Sequence, residues 1–567
     1  MTEKRWIIKK HDRQAVAALA EQINVQPLTA ALLISRGYSD PESAHSFLNP
    51  SFDQLHDPFL LKGMRQAVNR ILTAAEKGEK VLIWGDYDVD GTTGTVVLRK
   101  VFKLLGIASE YHIPNRFTEG YGINIPALEA AKERGCTLGI SVDCGIRSFE
   151  PMEWARDAGL DFIITDHHLA DEERGNPHAL AVINPNQKGC DYPDKHLAGV
   201  GVAFKLAHAL LRETGREELV PALLKIAAIG TVADVVSLTG ENRVIVSLGL
   251  ADILSTKNYG LKALMEVSDC TSEMTSTHIG FRIAPRINAA GRMDIARHVV
   301  ELFEATDFND ARKLAELLNS RNRERQQMQQ KITDLALLDA TEYLDRHFVV
   351  VAGEGWHRGV IGLAASRIAE RMHRPTIVLS TENGTAYGSA RSIAGFHLLE
   401  AMNSCADLFQ QFGGHAAAAG MTMSSENISA IRQSLNDHAL SVLTAEDLLP
   451  AIQIDAPVSP ATLGLELLEE LSRLEPFGAG NPKPVFITRD LVLRSDPLVM
   501  KEKHLKFQLT DDAGKRFEAV WWDGVDRSKG RTLGMGSRIE VAYHMEGNTW
   551  QGNTRLQLVV QDLREHN

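Results

Sequence analysis

An apolar run that stops at three alternating carboxylates constrains this chain more than any other stretch. It reads Val81-Leu82-Ile83-Trp84-Gly85-Asp86-Tyr87-Asp88-Val89-Asp90-Gly91. The run has the length of one buried strand, and residues 92–105 after Gly91 have helical character. Ligands of α/β sheets bind just past the carboxyl ends of strands, which is where Asp86, Asp88 and Asp90 fall. Three carboxylates this close repel one another. A cation neutralises them, and hard oxygen donors suit Mg²⁺ or Mn²⁺. A solvated acidic turn is the ordinary alternative for such a charge run.

At 567 residues the chain is too long for one hydrophobic core, so roughly two to four domains are expected. No apolar stretch reaches the ~18 residues of a membrane-spanning helix. The start, MTEKRWIIKKHDRQ, has no signal-peptide core. Five scattered cysteines (Cys136, Cys144, Cys190, Cys270, Cys405) include no CxxC pair. They fit a reducing cytoplasm and argue against a zinc or disulfide scaffold. The net charge of −12 argues by itself against nucleic-acid binding. The excess acid lies in residues 1–482, with 47 Lys+Arg against 61 Asp+Glu, whereas residues 483–567 carry 14 against 12.

From residue 80 to about 260 strands and helices alternate, which implies a parallel sheet covered on both faces. Strands are expected at 81–84, 110–114, 138–142, 162–165 and 180–184. Helices are expected at 92–105, 125–134, 149–158, 199–213 and 219–229. Three of the strands end in polar groups: Asp86/Asp88/Asp90, Asp143-Cys144-Gly145 and Asp166-His167-His168. Asp234 follows in an apolar context. Singly, Asp143 and Asp166 read equally well as helix caps, a lone histidine as a satisfied polar residue, and Asp234 as a turn cap. Jointly, parallel strands bring these groups to one edge, where the acids and two imidazoles could hold two divalent ions.

Asp86-x-Asp88-x-Asp90-Gly91, Asp143, Asp166-His167-His168 and Asp234 resemble motifs I to IV of the DHH phosphoesterase superfamily. The wider chain is similar to the superfamily's bacterial single-strand-specific exonucleases. The similarity includes Pro-Arg-Ile-Asn-Ala-Ala-Gly-Arg (285–292) and Gly-Gly-His-Ala-Ala-Ala-Ala-Gly (413–420). The resemblance implies an α/β fold: a parallel-sheet DHH domain, a long connecting helix and a smaller α/β DHHA1 domain. It implies that Asp88, Asp90, Asp143, His167 and Asp234 are ligands of two Mg²⁺ or Mn²⁺ ions, with Asp143 bridging. His168 would touch the scissile phosphate or assist the leaving group. Many members carry a histidine where this chain has Trp84. An indole cannot ligate a divalent ion, so Asp86 is the expected substitute.

Four further regions are expected to meet substrate. In the loop 114–122, Arg116 and Tyr121 resemble part of a 5′-end pocket, with Phe117 a possible stacking ring; without the resemblance this is an ordinary flexible loop. Arg282, Arg286, Arg292 and Arg297 face one acid, Asp294, and form a candidate phosphate track or a solvated basic face. In residues 347–440, Ser389 and Arg391 resemble 5′-phosphate contacts. His415 resembles a substrate-contacting histidine, or is a turn residue, with Ala416–Ala419 serving tight helix packing. From 483 onward, short strands and turn signals suggest a small β-barrel of the OB-fold type. There Lys501, Lys503 and Lys506 would track a backbone, while Phe507, Trp521, Trp522 and Trp550 divide between base stacking and barrel core.

The expected organisation is a helical lead-in (1–60), the catalytic domain (61–300), a long polar helix (301–345), DHHA1 (346–445), a mostly helical linker (446–482) and the barrel (483–567). The implied activity is 5′→3′ hydrolysis of single-stranded DNA to mononucleotides by a monomer. The resemblance also implies a single-strand-binding protein, a DNA helicase and mismatch-repair proteins as partners. A groove between two α/β domains would be too narrow for a duplex. A small-substrate phosphoesterase (a nanoRNase, cyclic-dinucleotide phosphodiesterase or pyrophosphatase) and an inactive replication scaffold remain alternatives.

Overall fold

The computed structural model describes residues 4–115, 118–120, 122–292, 296–340, 343, 345–529, 531–550 and 552–565, the side chain of Trp550 excepted. Arg116, Phe117, Tyr121 and Asp294 lie outside the described residues. The chain forms two compact units. One comprises Tyr38–Arg323 with Arg473–Lys483, the other Met1–Gly37, Glu324–Ser472 and Pro484–Asn567.

The first unit is built on a five-stranded sheet. Its spatial order is Ser109–His112, Lys80–Gly85, Cys136–Val142, Asp161–Thr165, Ala181–Ile183, and every neighbouring pair is parallel. Successive side chains of a strand point to opposite faces, and the central strand shows why its run is continuously apolar. Val81 and Ile83 join one buried cluster with Met64, Val97 and Phe204. Leu82 and Trp84 join the other, with Leu128, Met152 and Phe162. Helices Met64–Lys77, Val89–Leu105 and Gly199–Glu213 cover the first face, and Ile125–Glu133 and Phe149–Asp157 the second. Glycines set the closest approaches. A Cβ on Gly94 would lie 2.5 Å from a Val142 methyl, and one on Gly230 2.3 Å from Thr93 Oγ1.

Helix Phe308–Ala340 is 33 residues long. Its polar middle is where one unit ends and the other begins, between Arg323 and Glu324. Farther along, Ile332, Ala336 and Ala340 pack into a core with Val349, Val351 and Val360.

The second unit holds a five-stranded sheet ordered Gln411–Gly414, Ala418–Ser424, Thr385–Arg391, Thr376–Glu382, Val349–Glu354, in which only the last pair is parallel. It also holds a seven-stranded sheet from Ala456–Pro457 to Leu498–Met500. Strand Phe486–Leu493 pairs with both Arg538–Trp550 and His504–Thr510, which closes this sheet on itself as an OB barrel does.

Several elements depart from the sequence expectation: the long helix begins at Phe308, after a separate helix Arg297–Glu304, and Glu217–Leu223 is a 3₁₀ helix that leads into Leu224–Ala233. The lead-in begins with a strand, Arg5–Ile8, paired in parallel with Ala451–Ile454; four residues are too few to show a period. Residues 446–482 contain one α-helix, Leu465–Ser472, with strands and a 3₁₀ turn before it. Pro450, Pro457 and Pro460 break the helical ladder there.

Candidate metal centre

Three acids occupy one level of the parallel sheet, each the first residue past its strand. The amide of Asp86 donates to Val142 O (3.2 Å), that of Asp143 to Thr165 O (2.9 Å) and that of Asp166 to Ile183 O (3.1 Å). The ladder therefore fixes their height along the strands before any side-chain contact is considered. Asp143 turns at φ +63°, in the left-handed region that aspartate tolerates. Asp88 caps helix Val89–Leu105 by accepting from Gly91 N at 2.9 Å. Gly91 itself has no room for a Cβ, which would lie 2.5 Å from Asp86 N.

Asp90 does two things at once. Its carboxylate accepts from the amides of Gly199 (2.6 Å) and Val200 (2.7 Å), at the start of helix Gly199–Glu213. The positive end of that helix helps hold a buried charge. A Cβ on Gly199 would sit 2.4 Å from Asp143 Oδ1, so this helix start fits only as glycine.

Around these acids stand His167 and Asp234. His167 Nε2 lies 3.2 Å from Asp143 Oδ1, 3.6 Å from Asp234 Oδ2 and 4.0 Å from Asp90 Oδ2. Three groups of donors are each gathered within 4.8 Å: Asp86/Asp88/Asp143, Asp90/His167/Asp234 and Asp143/His167/His168. Asp143 belongs to two of them. Asp143 Oδ1 and His167 Nε2 are both buried, and neither makes a hydrogen bond among the described residues. Buried polar atoms are ordinarily satisfied. An oxygen and an imidazole nitrogen left this way fit divalent-ion ligands.

The electrostatics agree. Burial first, then neighbouring carboxylates, push Asp90 and Asp143 well above the usual range. Burial also raises Asp88, and burial followed by the Asp88 charge raises Asp234 to about 7. His167 goes the other way, to about 4, through burial and the adjacent His168, and so presents a neutral nitrogen. An added cation would offset the carboxylate repulsion.

Asp166 is different. Although buried, it lies below the usual range, because the His168 side chain and the amides of Ile146 and His168 outweigh desolvation. His168 Nδ1 is 2.7 Å from Asp166 Oδ1. Asn184 Nδ2 donates to His168 O (2.9 Å) and Asn186 Nδ2 to His167 O (2.7 Å). The sequence places Asp166 at this edge without giving it a role, and it does not single out Asn184, Asn186 or Gly199 as parts of the site; these polar and small residues reveal a role only through their contacts.

Trp84 is fully buried in the sheet's second cluster, its ring 4.4 Å from that of His112 on the adjacent strand. Asp86 stands with Asp88 and Asp143 instead.

The other sequence candidates have distinct settings. Arg286 donates from Nε to Asn319 Oδ1 (3.1 Å), from Nη1 to Arg282 O (2.5 Å) and from Nη2 to Val267 O (3.0 Å), a clamp on the protein's own backbone. Arg292 is half-buried at the end of its helix. The preceding Gly291 packs so closely that a Cβ would be 2.4 Å from Tyr87 O. Ser389 and Arg391 share one face of a strand, with Arg391 Nη1 donating to Ser389 Oγ at 3.1 Å. His415 is exposed in the turn between strands Gln411–Gly414 and Ala418–Ser424, so Ala416–Ala419 form a hairpin rather than a helix contact. In the barrel, Lys501 and Lys503 are exposed, whereas Lys506 pairs with Glu518 at 3.1 Å. Phe507 and Trp521 fill the interior; Trp522 is half-exposed, edge-on to His504.

Comparison with known proteins gives a consistent picture. Residues 80–231 match the DHH family N-terminal domain, 345–439 the DHHA1 domain and 454–562 the RecJ OB domain. The chain is 41% identical over 563 residues to the single-stranded-DNA-specific exonuclease RecJ of Bacillus subtilis, covering 98% of this chain and 70% of that one. It is 34% identical over 528 residues to the Escherichia coli protein of the same name, covering 89% and 90%. Its structure is similar to crystal structures of Thermus thermophilus RecJ at 28% identity, covering 99% of this chain. The Mn²⁺ complex gives a TM-score of 0.85 with 80% of that chain covered, and the Mg²⁺ complex 0.78 with 79%.

Proposed function

This chain belongs to the RecJ family of single-stranded-DNA-specific exonucleases, and we propose that its carboxylate–histidine cluster hydrolyses single-stranded DNA from the 5′ end to mononucleotides. The observation that carries the proposal is the buried, hydrogen-bond-free pair Asp143 Oδ1 and His167 Nε2. They sit among acids whose raised proton affinities call for cations. Asp86, Asp88, Asp90, Asp143, His167 and Asp234 would hold two Mg²⁺ or Mn²⁺ ions. When bound, these supply Lewis-acid polarisation of the scissile phosphate and a water of lowered pKa.

The protein's own residues do the rest. The strand ladder sets the height of Asp86 and Asp143, and the start of helix Gly199–Glu213 fixes Asp90. Asp166 orients His168 through Nδ1 and favours its protonated form, which leaves Nε2 to donate a proton to the leaving oxygen. Asn184 and Asn186 hold the backbone beneath both histidines. In the second unit, Ser389, Arg391 and His415 would grip the 5′ end. Exposed Lys501 and Lys503, with Trp522, would track the strand on the barrel. Arg116, Tyr121, Arg292 and Lys506 complete the reading as DNA contacts, while Arg286 would act indirectly, by bracing the helix whose Gly291 abuts Tyr87.

The setting proposed is DNA repair and recombination in the cytoplasm, with a monomer working beside a single-strand-binding protein and a helicase. All five cysteines are free, in keeping with a reducing compartment. Among the described residues no helix is long and apolar enough to cross a membrane. The test uses single-stranded and duplex DNA carrying a 5′ or a 3′ label, with Mg²⁺, Mn²⁺ or chelator. Release of the 5′ label first, from single strands only and only with metal, is the expected result. Release from the 3′ end, equal attack on duplex or full activity in chelator would overturn it.

A further inference from the structure

Ten non-glycine residues among those described have positive φ, and Val235 at +62° is the one β-branched residue in that set. Seven of the other nine are Asn, Asp or His, which tolerate the left-handed region; a branched Cβ there is a genuine outlier. The surroundings hold it in place. The Val235 amide donates to Val232 O (3.3 Å) and that of Asp234 to Gly230 O (2.9 Å), which closes the helix, while Val236 packs on the core. The chain thus turns sharply between a metal-site carboxylate and a core residue. Glycine or asparagine would make that turn without strain.

Burial does not explain the valine either, since Val235 is 71% exposed. A second aliphatic stands in a matching place. Leu169 follows His168 directly and is 65% exposed, its carbonyl held by Arg147 Nε at 3.1 Å. On two separate loops, the residue next in sequence after a site residue is therefore an exposed aliphatic, while the cluster itself gathers carboxylates and imidazoles. A nucleotide presents the same two chemistries side by side: a charged phosphate, and the apolar carbons of its sugar and base face.

We propose that Val235 is a specificity-determining contact that packs against the sugar or base of the nucleotide whose phosphate is hydrolysed, with Leu169 contributing from the loop after His168. Backbone strain persists where the surrounding structure over-determines it, and such residues cluster at functional sites. The inference rests on the nuclease reading above.

The test compares Val235→Gly, Val235→Asn and Val235→Ile with the parent, by thermal unfolding, Mn²⁺ titration calorimetry, binding of a single-stranded oligonucleotide and KM for its hydrolysis. Glycine and asparagine should raise the unfolding temperature by a few degrees through relief of strain. They should weaken oligonucleotide binding and raise KM by about fivefold, the scale of one lost aliphatic contact. Isoleucine should keep parental binding, and Mn²⁺ affinity should be the same in all four proteins. An oligonucleotide with an abasic 5′ terminus assigns the contact: a persisting difference between parent and glycine variant places it on the sugar, a vanished one on the base. Parental oligonucleotide binding and KM in both the glycine and asparagine variants would overturn the proposal. So would Mn²⁺ affinity falling in step with KM, which would make Val235 a support for Asp234 instead. If the parent released nucleotide from no substrate, the nuclease reading would fail, while oligonucleotide binding would still read out Val235.

Discussion

The two five-stranded sheets use the same opening pattern of strand and helix, yet they place their polar groups in opposite ways. In the sheet of residues 80–183 every pair is parallel, so all carboxyl ends share one edge. Asp86, Asp143 and Asp166 follow three consecutive strands of that sheet and meet there. In the sheet of residues 349–424 only one pair is parallel and strand ends alternate. Its polar pair, Ser389 and Arg391, lies on the face of a strand, two residues apart. Parallel order concentrates charge at an edge, where it must be neutralised. Antiparallel order spreads polar side chains over a surface, where they are suited to grip. Ion dependence should therefore belong to the first sheet, and the grip of Ser389 and Arg391 on the 5′ phosphate to the second.

The strongest way to break this division is Asp143→Ala. Removing the carboxylate shared by two donor groups should cut exonuclease activity by at least roughly 1,000-fold, about 4 kcal/mol of transition-state stabilisation. Circular dichroism and oligonucleotide binding should be retained. Activity near the parent's would remove Asp143 from the centre.

Asp166→Asn should have the next largest effect. Burial disfavours the His168 imidazolium, but the hydrogen bond and charge of Asp166 outweigh it and raise the His168 pKa. A proton donor loses activity as pH rises through its pKa. The alkaline limb of kcat/KM should thus move to lower pH in the variant, with a loss of about 10- to 100-fold at pH 8. An unmoved limb would exclude His168 as the donor.

The metal-free protein offers a thermodynamic test. Asp234, raised to about 7 chiefly by burial, holds a proton that the unfolded chain has already released above its ordinary carboxylate value. Its contribution to stability is fully present below pH ~4 and is lost as pH rises from there through 7. Asp234→Asn should flatten that part of the stability profile. Conversely, Mn²⁺ should raise the parent's unfolding temperature more at pH 8 than at pH 5, because ligands must be deprotonated to bind. An equal metal effect at both pH values would disprove the linkage.

Arg391→Ala should give the smallest change. KM for 5′-phosphorylated single strands should rise about fivefold, the scale of one hydrogen bond lost. Mn²⁺ affinity measured by calorimetry should stay at the parental value. A fall in Mn²⁺ affinity would mean that the division between the two sheets does not hold.

Much of this was legible in the residues. The apolar run 81–84 with alternating aspartates after it announces a buried strand with a charged end, and strand–helix alternation announces the parallel sheet. Periodicity of two and of 3.6 is local and survives in the sequence. Strand Arg5–Ile8 was not legible, since its reason is a partner some 450 residues away in sequence, Ala451–Ile454. Nor were Asn184 and Asn186, which look like any polar pair around Pro185 until their amides are seen beneath the two histidines.

The sequence by itself determined which chemistry the chain carries: carboxylates and imidazoles at strand ends, hard donors for hard cations. Only the tertiary structure decided the division of labour among them. Asp166 is satisfied by amides and His168, whereas Asp143 keeps a buried oxygen without a hydrogen bond. Trp84 is core and Asp86 stands with the acids. The physical reason is that proton affinity and ligand capacity depend on desolvation and on the nearest donors, and both are set by elements far apart along the chain.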